Sequence, residues 1–491
     1  MKVLLSNIPS AQPRDGRYAV KAGSRWPHLE DEGAGYVPFP FFLAYAAAVL
    51  EQAGIDVRIV DAVAEAMDVD RFLEVLAQWQ PELLVVETST TWLENDLAVA
   101  ARVKAATPAV RLALCGPHAP MYEPAFLDAH PEVDVVLVGE YEHTLRDLVL
   151  ALEQGADLAS VDGIAYRDAS AAAQQTPRRE PIADLDALPW PHRATLPMDR
   201  YNDNPFGMPR PCGILWASRG CPFQCIFCSW PKTMYGGHTY RTRSPKDIAD
   251  EMEALVRDFG CRSLYFDDDN FNVRKSHLLG ICDEVRSRGL DVPWGVMARA
   301  DTMDADMLAA LHDAGLCAVK YGVESGVQAI LDRSGKRLSL ADVEATVAET
   351  KRLGIQVHLT FTFGLPGETH DTIRQTIAYA RRLDPDTAQF SIVTPFPGSP
   401  YFEQLERDGQ LIERDWSRYD GSSRAVFRTP ELSGADLEAA VCRAHEAWDR
   451  HVRGRVTRND MRRHPWAYAA KALCHPWRAM QELRKLFAKS N

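Results

Sequence analysis

Strand-like and helix-like segments alternate twice along this chain, and a proline-rich stretch separates the two runs. In the first run, apolar β-prone segments fall at residues 2–6, 57–60, 83–87, 111–115 and 133–138. Helical patterns lie between or after them at 41–53, 70–78, 93–106 and 142–153. Alternation at this spacing predicts a parallel, doubly wound sheet. Ligands on such sheets sit beyond the carboxyl ends of the strands. Those ends read Thr88-Ser89-Thr90, Gly116-Pro117-His118 and Gly139-Glu140.

Between residues 155 and 210 the pattern breaks. Pro177, Pro181, Pro189, Pro191, Pro197, Pro205 and Pro209 crowd this stretch, and proline is tolerated poorly in helices and central strands. It reads as a linker with a short strand pair near 163–167. Alternation resumes with strand-like runs at 213–217, 263–266, 294–297, 318–322, 356–363 and 387–394. The helix over 244–259 opens with Ser244 as cap and Pro245 in its first turn. Six such units predict a partial (β/α)6 barrel, with chemistry at the carboxyl ends of its strands. The expected organisation is a doubly wound domain over 1–150, a linker over 151–210, a barrel over 211–400 and a helical region over 401–491.

Charge excludes some partners. The net charge is −13. Residues 450–491 hold eleven Lys/Arg and two Asp/Glu, a net of +9, so the first 449 residues carry −13 − 9 = −22. An acidic body argues against a nucleic-acid partner. No run of about 18 uncharged apolar residues predicts a membrane-spanning helix, and the N-terminus reads as a first strand rather than a signal peptide. Ten cysteines in 491 residues, seven of them scattered, do not make a secreted disulfide framework. A reducing cytoplasm is expected.

The other three cysteines carry the chemistry. Cys221, Cys225 and Cys228 are spaced C-x3-C-x2-C directly after the first strand of the second run. Three thiolates on a four-iron cluster leave one iron open to another ligand. Two alternatives stand beside this. The cysteines are three unrelated core residues, or they hold zinc, which wants four N/S ligands and has His238 as the nearest extra one.

Residues 213–400 resemble the radical S-adenosylmethionine (SAM) superfamily, whose signature is this spacing with an aromatic before the last cysteine, here Phe227. The resemblance implies that Cys221, Cys225 and Cys228 hold a [4Fe–4S] cluster. SAM chelates the open iron and is split reductively to a 5′-deoxyadenosyl radical. It implies that Phe227 lies against adenine. It also places SAM contacts at successive strand ends: Asp268 and Asp269 within Asp267-Asp268-Asp269-Asn270, then Arg299, then Glu324 and Ser325, then the loop 364–368. Taken singly, a strand-end Asp is a helix cap and Arg299 a surface ion pair.

A doubly wound domain ahead of such a barrel is similar to the cobalamin-binding radical SAM group. The matching elements are the helix start at 38–50, Thr88-Ser89-Thr90, Cys115-Gly116-Pro117-His118-Ala119 and Val138-Gly139-Glu140-Tyr141-Glu142. The resemblance implies that Thr88, Ser89, Thr90, Gly116, Pro117, His118, Gly139 and Glu140 cradle cobalamin. Another cobalamin-domain family supplies a histidine to cobalt from Asp-x-His-x-x-Gly. Asp128-Ala129-His130 has the first half, but Val133 replaces the glycine. Cobalamin without a protein histidine on cobalt is therefore expected. The alternatives are a domain that has lost the cofactor or one that binds another dinucleotide, for which no Gly-x-Gly-x-x-Gly speaks.

Residues 220–241 look similar to two branches of that group, the anaerobic magnesium-protoporphyrin cyclase and enzymes of hopanoid lipid tailoring. The expected activity is functionalisation of an unactivated carbon, foremost C-methylation. The alternatives are ring rearrangement or oxidative cyclisation, and, from another class, a non-enzymatic metal-binding scaffold. The expected partners are a small or lipid-like substrate and a flavodoxin- or ferredoxin-type electron donor. The tail carries His464-Pro465-Trp466 and His475-Pro476-Trp477, then a basic segment over 479–489 with Leu483, Leu486 and Phe487 on one face. Such a segment fits an anionic membrane surface, or else docks on the acidic body.

Overall fold

The computed structural model describes residues 1–11, 19–21, 29–31, 37–201 and 206–463. The first sheet comprises β1 (Lys2–Asn7), β2 (Asp56–Asp61), β3 (Leu83–Glu87), β4 (Arg111–Cys115), β5 (Val135–Leu137), β6 (Ile164–Arg167) and β7 (Ala173–Gln175). Its order is β2-β1-β3-β4-β5-β6-β7. Pairing is parallel through β5 and antiparallel from there. Every residue of β3 is buried, as expected of a parallel strand covered on both faces. The order 2-1-3-4-5 has its switch point between β1 and β3, where doubly wound folds take ligands.

The sequence reading ends this sheet near residue 138, and the structure extends it by the β6–β7 hairpin. The anticipated strand pair near 163–167 is therefore the antiparallel edge of the first sheet. Its surroundings are proline-rich because an edge needs fewer backbone donors than a centre.

The second sheet comprises β8 (Cys212–Leu215), β9 (Ser263–Phe266), β10 (Trp294–Ala298), β11 (Leu316–Glu324), β12 (Gln356–Phe363) and β13 (Thr387–Ile392). They lie in chain order, all parallel, as an open six-stranded barrel. The helix Pro245–Phe259 is capped by Ser244, whose side chain accepts from the Asp247 amide. Over 400–450 the chain forms the helix Pro400–Arg407 and begins the helix Gly434–Arg463. The stretch between them was expected to be helix-prone but is largely loop, pinned by a bridge from Leu411 to Phe427.

One apolar cluster draws on both sheets, beside a separate cluster in each. Helix Phe41–Gln52 is buried from Phe41 through Leu50, the pattern of a helix covered all round. Phe41 stacks on Trp216, just past β8, with ring centroids 4.1 Å apart. Tyr45 stacks on the same indole. No described helix is long and apolar enough to cross a membrane. The basic segment beyond Arg463 lies outside the described residues.

Candidate active site

Contacts bring the carboxyl ends of the two sheets against each other. After β3, Thr91 donates to the Tyr419 carbonyl at 2.5 Å. After β4, His118 meets Trp416 edge-on, 5.3 Å between centroids. A Cβ on Gly398, beyond β13, would lie 3.0 Å from Ala119. After β5, a Cβ on Gly139 would fall 2.7 Å from the Met234 carbonyl, and Gly139 has φ +72°.

The strongest link is electrostatic. Arg219, two residues before Cys221, is 2 % exposed. Its Nη1 lies 2.5 Å from Glu140 Oε1 and 2.7 Å from Glu142 Oε1. Arg241 holds the other Glu140 oxygen at 2.8 Å. The Arg219 guanidinium also rests 4.6 Å from the centre of the Tyr45 ring. Burial works to raise the Glu140 carboxyl, but Arg219 and Arg241 outweigh it and hold the group ionised. Burial pushes the neighbouring Glu142 up. The Glu140 anticipated at the cobalamin face thus points its charge at the chain entering the cysteine loop.

That loop is held from below by the end of β9. Asp268 is fully buried and accepts from the Ala217 amide at 3.1 Å and from the Ser218 hydroxyl. Asp269 accepts from the Gly220 amide at 2.7 Å. Gly220 has φ +92°, and a Cβ there would meet the Thr239 carbonyl at 2.2 Å, so only glycine fits this turn. Cys221, Cys225 and Cys228 follow, each partly buried. Burial pushes the Cys221 thiol up to about 11 and the Cys228 thiol higher still. Among the described residues, no group of His, Cys, Asp and Glu is drawn closely enough to hold a single metal ion. A four-iron cube spreads its thiolates wider than one ion does.

The remaining predicted SAM contacts lie at successive strand ends, each with a protein partner. Phe227 packs partly buried on the barrel core. Arg299, after β10, is buried. It pairs with Asp301 at 2.7 Å and lies 3.8 Å over the Phe223 ring of the cysteine loop, which excludes a surface ion pair. The register of β11 against β12 shifts between Gly322 and Glu324, and Glu324 takes φ +70°. Such a bulge re-aims a side chain, and strained backbone of this kind gathers at functional sites. Glu324 Oε1 receives Lys336 Nζ at 3.0 Å, and Oε2 receives the Thr362 hydroxyl at 3.0 Å. A Cβ on Gly322 would fall 2.7 Å from Glu324 Oε1, so glycine clears the room for the carboxylate. Ser325 is buried against Thr376. In the 364–368 loop, Glu368 accepts from the Gly364 amide, and burial pushes its carboxyl up to about 8.

On the first sheet, Thr88, Ser89, Thr90, Gly116, Pro117 and His118 are all buried. A Cβ on Gly116, at φ +118°, would lie 2.1 Å from the Thr88 carbonyl, so the loops after β3 and β4 touch backbone to backbone. His118 Nδ1 bonds to the Thr90 hydroxyl at 3.0 Å, and burial lowers its pKa to about 3. Its imidazole is therefore neutral at pH 7.

The fit of the implied groups can be judged from polar atoms without a partner. The Asn270 amide after β9, the Thr394 hydroxyl after β13 and the Ser89 hydroxyl after β3 are buried and unpartnered. Buried polar groups left so are costly, and these sit where SAM and cobalamin would supply partners. The residues present fit both groups, and three thiols in one loop fit a cluster with an open iron. Sequence reasoning missed Arg219, Glu142 and Lys336. Their partners are distant in sequence, and the one usable signal was charge placed beside a glycine or a strand end.

These features define a class: an α/β enzyme that sets a radical-generating barrel against a cobalamin-type sheet. Residues 217–380 match the radical SAM superfamily, and residues 33–149 match the B12 binding domain. An uncharacterized methyltransferase of Pyrococcus horikoshii is 30% identical over 380 residues, 77% of this chain and 81% of that protein. The anaerobic magnesium-protoporphyrin IX monomethyl ester cyclase of Rubrivivax gelatinosus is 31% identical over 399 residues, 79% of this chain and 70% of that one. The radical SAM methyltransferase TsrM from Kitasatospora setae, solved with cobalamin and a [4Fe–4S] cluster bound, superposes with a TM-score of 0.67 at 20% identity, covering 84% of this chain and 79% of that one. The chain belongs to the cobalamin-binding radical SAM enzymes. Its cofactors are a [4Fe–4S] cluster, SAM and cobalamin, and its activity begins with reductive cleavage of SAM.

Proposed function

We propose that this enzyme methylates an unactivated carbon of a small or lipid-like molecule. The observation that carries the reading is the buried link from Arg219 to Glu140 and Glu142, which sets the cysteine loop against the carboxyl end of the first sheet. A substrate between the two faces can lose hydrogen on one side and gain a methyl group on the other. When bound, the cofactors supply one-electron cleavage of SAM and a carried methyl group.

This chain's own residues do the rest. Cys221, Cys225 and Cys228 would hold the cluster, and Asp268 and Asp269 fix the loop that presents them. Phe227, Arg299, Glu324 and Ser325, with the unpartnered Asn270 amide, would orient SAM. Thr88, Ser89, Thr90, Gly116, Pro117, His118, Gly139 and Glu140 would shape the cobalamin face, where small residues let backbone approach a flat macrocycle. The 211–400 and 401–491 divisions serve as working boundaries, with the first domain carried past 150 to the hairpin that ends at Gln175. A low-potential flavodoxin- or ferredoxin-type donor would supply electrons in a reducing cytoplasm. The basic tail, with its Trp and Leu residues, would rest on an anionic membrane surface and suit a lipid-like substrate.

The cyclase relative favours a second reading, oxidative ring formation. Anaerobic turnover of a substrate by the reconstituted enzyme with SAM, dithionite and unmethylated cobalamin separates the two by mass spectrometry. Methylation yields S-adenosylhomocysteine beside 5′-deoxyadenosine, because a second SAM supplies the methyl group. Substrate turned over with 5′-deoxyadenosine but no S-adenosylhomocysteine would rule methylation out. Cys225→Ala should abolish both products while leaving bound cobalamin.

A further inference from the structure

Lys336 is a buried lysine that the reaction as described leaves without a task. It is 8 % exposed and lies after helix Gln328–Arg333, in a segment packed against the cysteine loop. The Ile226 amide donates to the Ser334 carbonyl at 3.0 Å. A Cβ on Gly335, at φ +69°, would fall 2.5 Å from the Gln224 carbonyl. The Lys336 carbonyl itself accepts from Arg299 at 3.0 Å. Ser334, Gly335 and Lys336 therefore run along Gln224–Ile226, the stretch that contains Cys225.

The Lys336 ammonium is built in. It bonds to Glu324 Oε1 at 3.0 Å, while the other Glu324 oxygen is drawn to Thr362 on β12. The positive end of this pair thus belongs to the segment on the cysteine loop, and the negative end is anchored on the far strands. Gly322 leaves the space both groups fill, since a Cβ there would be 3.1 Å from Lys336 Nζ. Burial works against the ammonium, yet the charge of Glu324 holds it above the usual lysine range.

A cluster that takes up an electron gains one negative charge, and its potential follows the net charge and hydrogen bonding around it. Inside a protein such charges are felt strongly. We propose that Lys336 is a positioning residue that sets the reduction potential of the cluster, its ammonium favouring the reduced form when a low-potential one-electron donor delivers the electron. Glu324 tempers that effect from the other side. The proposal rests on the assignment of Cys221, Cys225 and Cys228 as cluster ligands, and it is independent of whether the product is methylated.

The test is a potentiometric titration of the reconstituted holoenzyme without SAM, followed by electron paramagnetic resonance of the reduced cluster. Lys336→Met should lower the ratio of reduced to oxidised cluster about tenfold at a fixed potential, a midpoint shift of about −60 mV for one electron. The sign holds while the stranded Glu324 stays ionised. Lys336→Arg should restore the wild-type midpoint. Glu324→Gln should shift it the opposite way, and it carries the test if Lys336→Met fails to fold. Opposite signs in the two variants, with unchanged iron and sulfide content, are not expected of a residue that merely packs the loop. A midpoint unmoved in Lys336→Met, or in Glu324→Gln where the first variant does not fold, overturns the proposal. Wild-type protein that assembles no cluster overturns the cysteine assignment with it.

Discussion

The two facing strand ends are built from different materials. At the barrel, polar and charged groups are matched inside the protein: Asp268 and Asp269 to backbone amides, Arg299 to Asp301, Glu324 to Lys336. At the first sheet, the corresponding loops are small and neutral: Thr88, Ser89 and Thr90 are buried, and Gly116 lies so close to Thr88 that backbone meets backbone. Glu140, the charged residue among those anticipated there, is turned toward the barrel. The difference would suit the proposed ligands. A zwitterionic sulfonium would be oriented by charges already fixed in place, whereas a flat macrocycle would be received by shape. The helix caps do not divide the same way: His370–Leu383 in the barrel and Val69–Trp79 beside the first sheet begin with side-chain caps, while Lys275–Arg288 and Leu93–Ala106 begin with none.

The sharpest way to break this picture is at the buried ion network between the halves, where Arg219 and Arg241 meet Glu140 and Glu142. Arg219→Met leaves Glu142 without its partner and Glu140 with Arg241 alone. Removing one member of a buried ion network costs about 3–5 kcal/mol, so chemical denaturation should show a loss of that size. Arg219→Lys should recover part of the charge but not the ring contacts with Tyr45 and Trp216. If Arg219→Met unfolds at the wild-type denaturant concentration, the link does not join the halves.

Much of this fold was legible in the sequence. The bounds of β3, β4, β9 and β12 coincide with their apolar runs, because strands buried on both faces leave an uninterrupted β-prone signature. The cysteine loop could be picked out by its spacing, which left zinc and unrelated core cysteines open beside a cluster. The β6–β7 hairpin was obscured by surrounding prolines. The roles of Asp268 and Glu140 were only half visible. Their positions at strand ends could be read, but their partners come from chain 51 and 79 residues away, and local pattern carries no information about such pairings. Lys336 was invisible for the same reason, since it follows an ordinary helix and faces inward through a turn.

Acid and alkali should separate the halves next. His118 has its pKa lowered to about 3 by burial, against 6.5 in the open chain. Its contribution to stability is full above pH 6.5 and is lost as pH falls toward 3. Glu368, in the barrel, is raised to about 8 from 4.5. Its contribution is full below pH 4.5 and is lost as pH rises through 8. Each limb has a slope of about 1.4 kcal/mol per pH unit where its group titrates. Glu368→Gln should flatten the alkaline limb of a stability-against-pH profile, and His118→Asn should soften the acid limb. His358, in the barrel and also lowered to about 3, keeps part of the acid limb in place. An alkaline limb unchanged by Glu368→Gln would show that the Gly364–Glu368 turn is open to water.

The smallest effect expected is at a helix cap, where a barrel helix has a reciprocal turn that Leu93–Ala106 lacks. Thr369 caps His370–Leu383 reciprocally: its hydroxyl accepts from the Thr372 amide at 3.3 Å, and the Thr372 hydroxyl accepts from the Thr369 amide at 2.8 Å. Thr369→Val keeps the shape and removes the acceptor, so it should cost about 1 kcal/mol. Thr369→Ser should cost less than half of that. The loss belongs to the first turn, so exchange of the Thr372 amide should quicken in the Val variant while the amides of Leu93–Ala106 stay as they were. On the first sheet the matching experiment is at Asp68, whose side chain accepts from the Arg71 amide at 2.8 Å and caps Val69–Trp79. Asp68→Ala should quicken exchange of the Arg71 amide alone, and equal quickening at both helices in either variant would mean that the loss is not local to the cap.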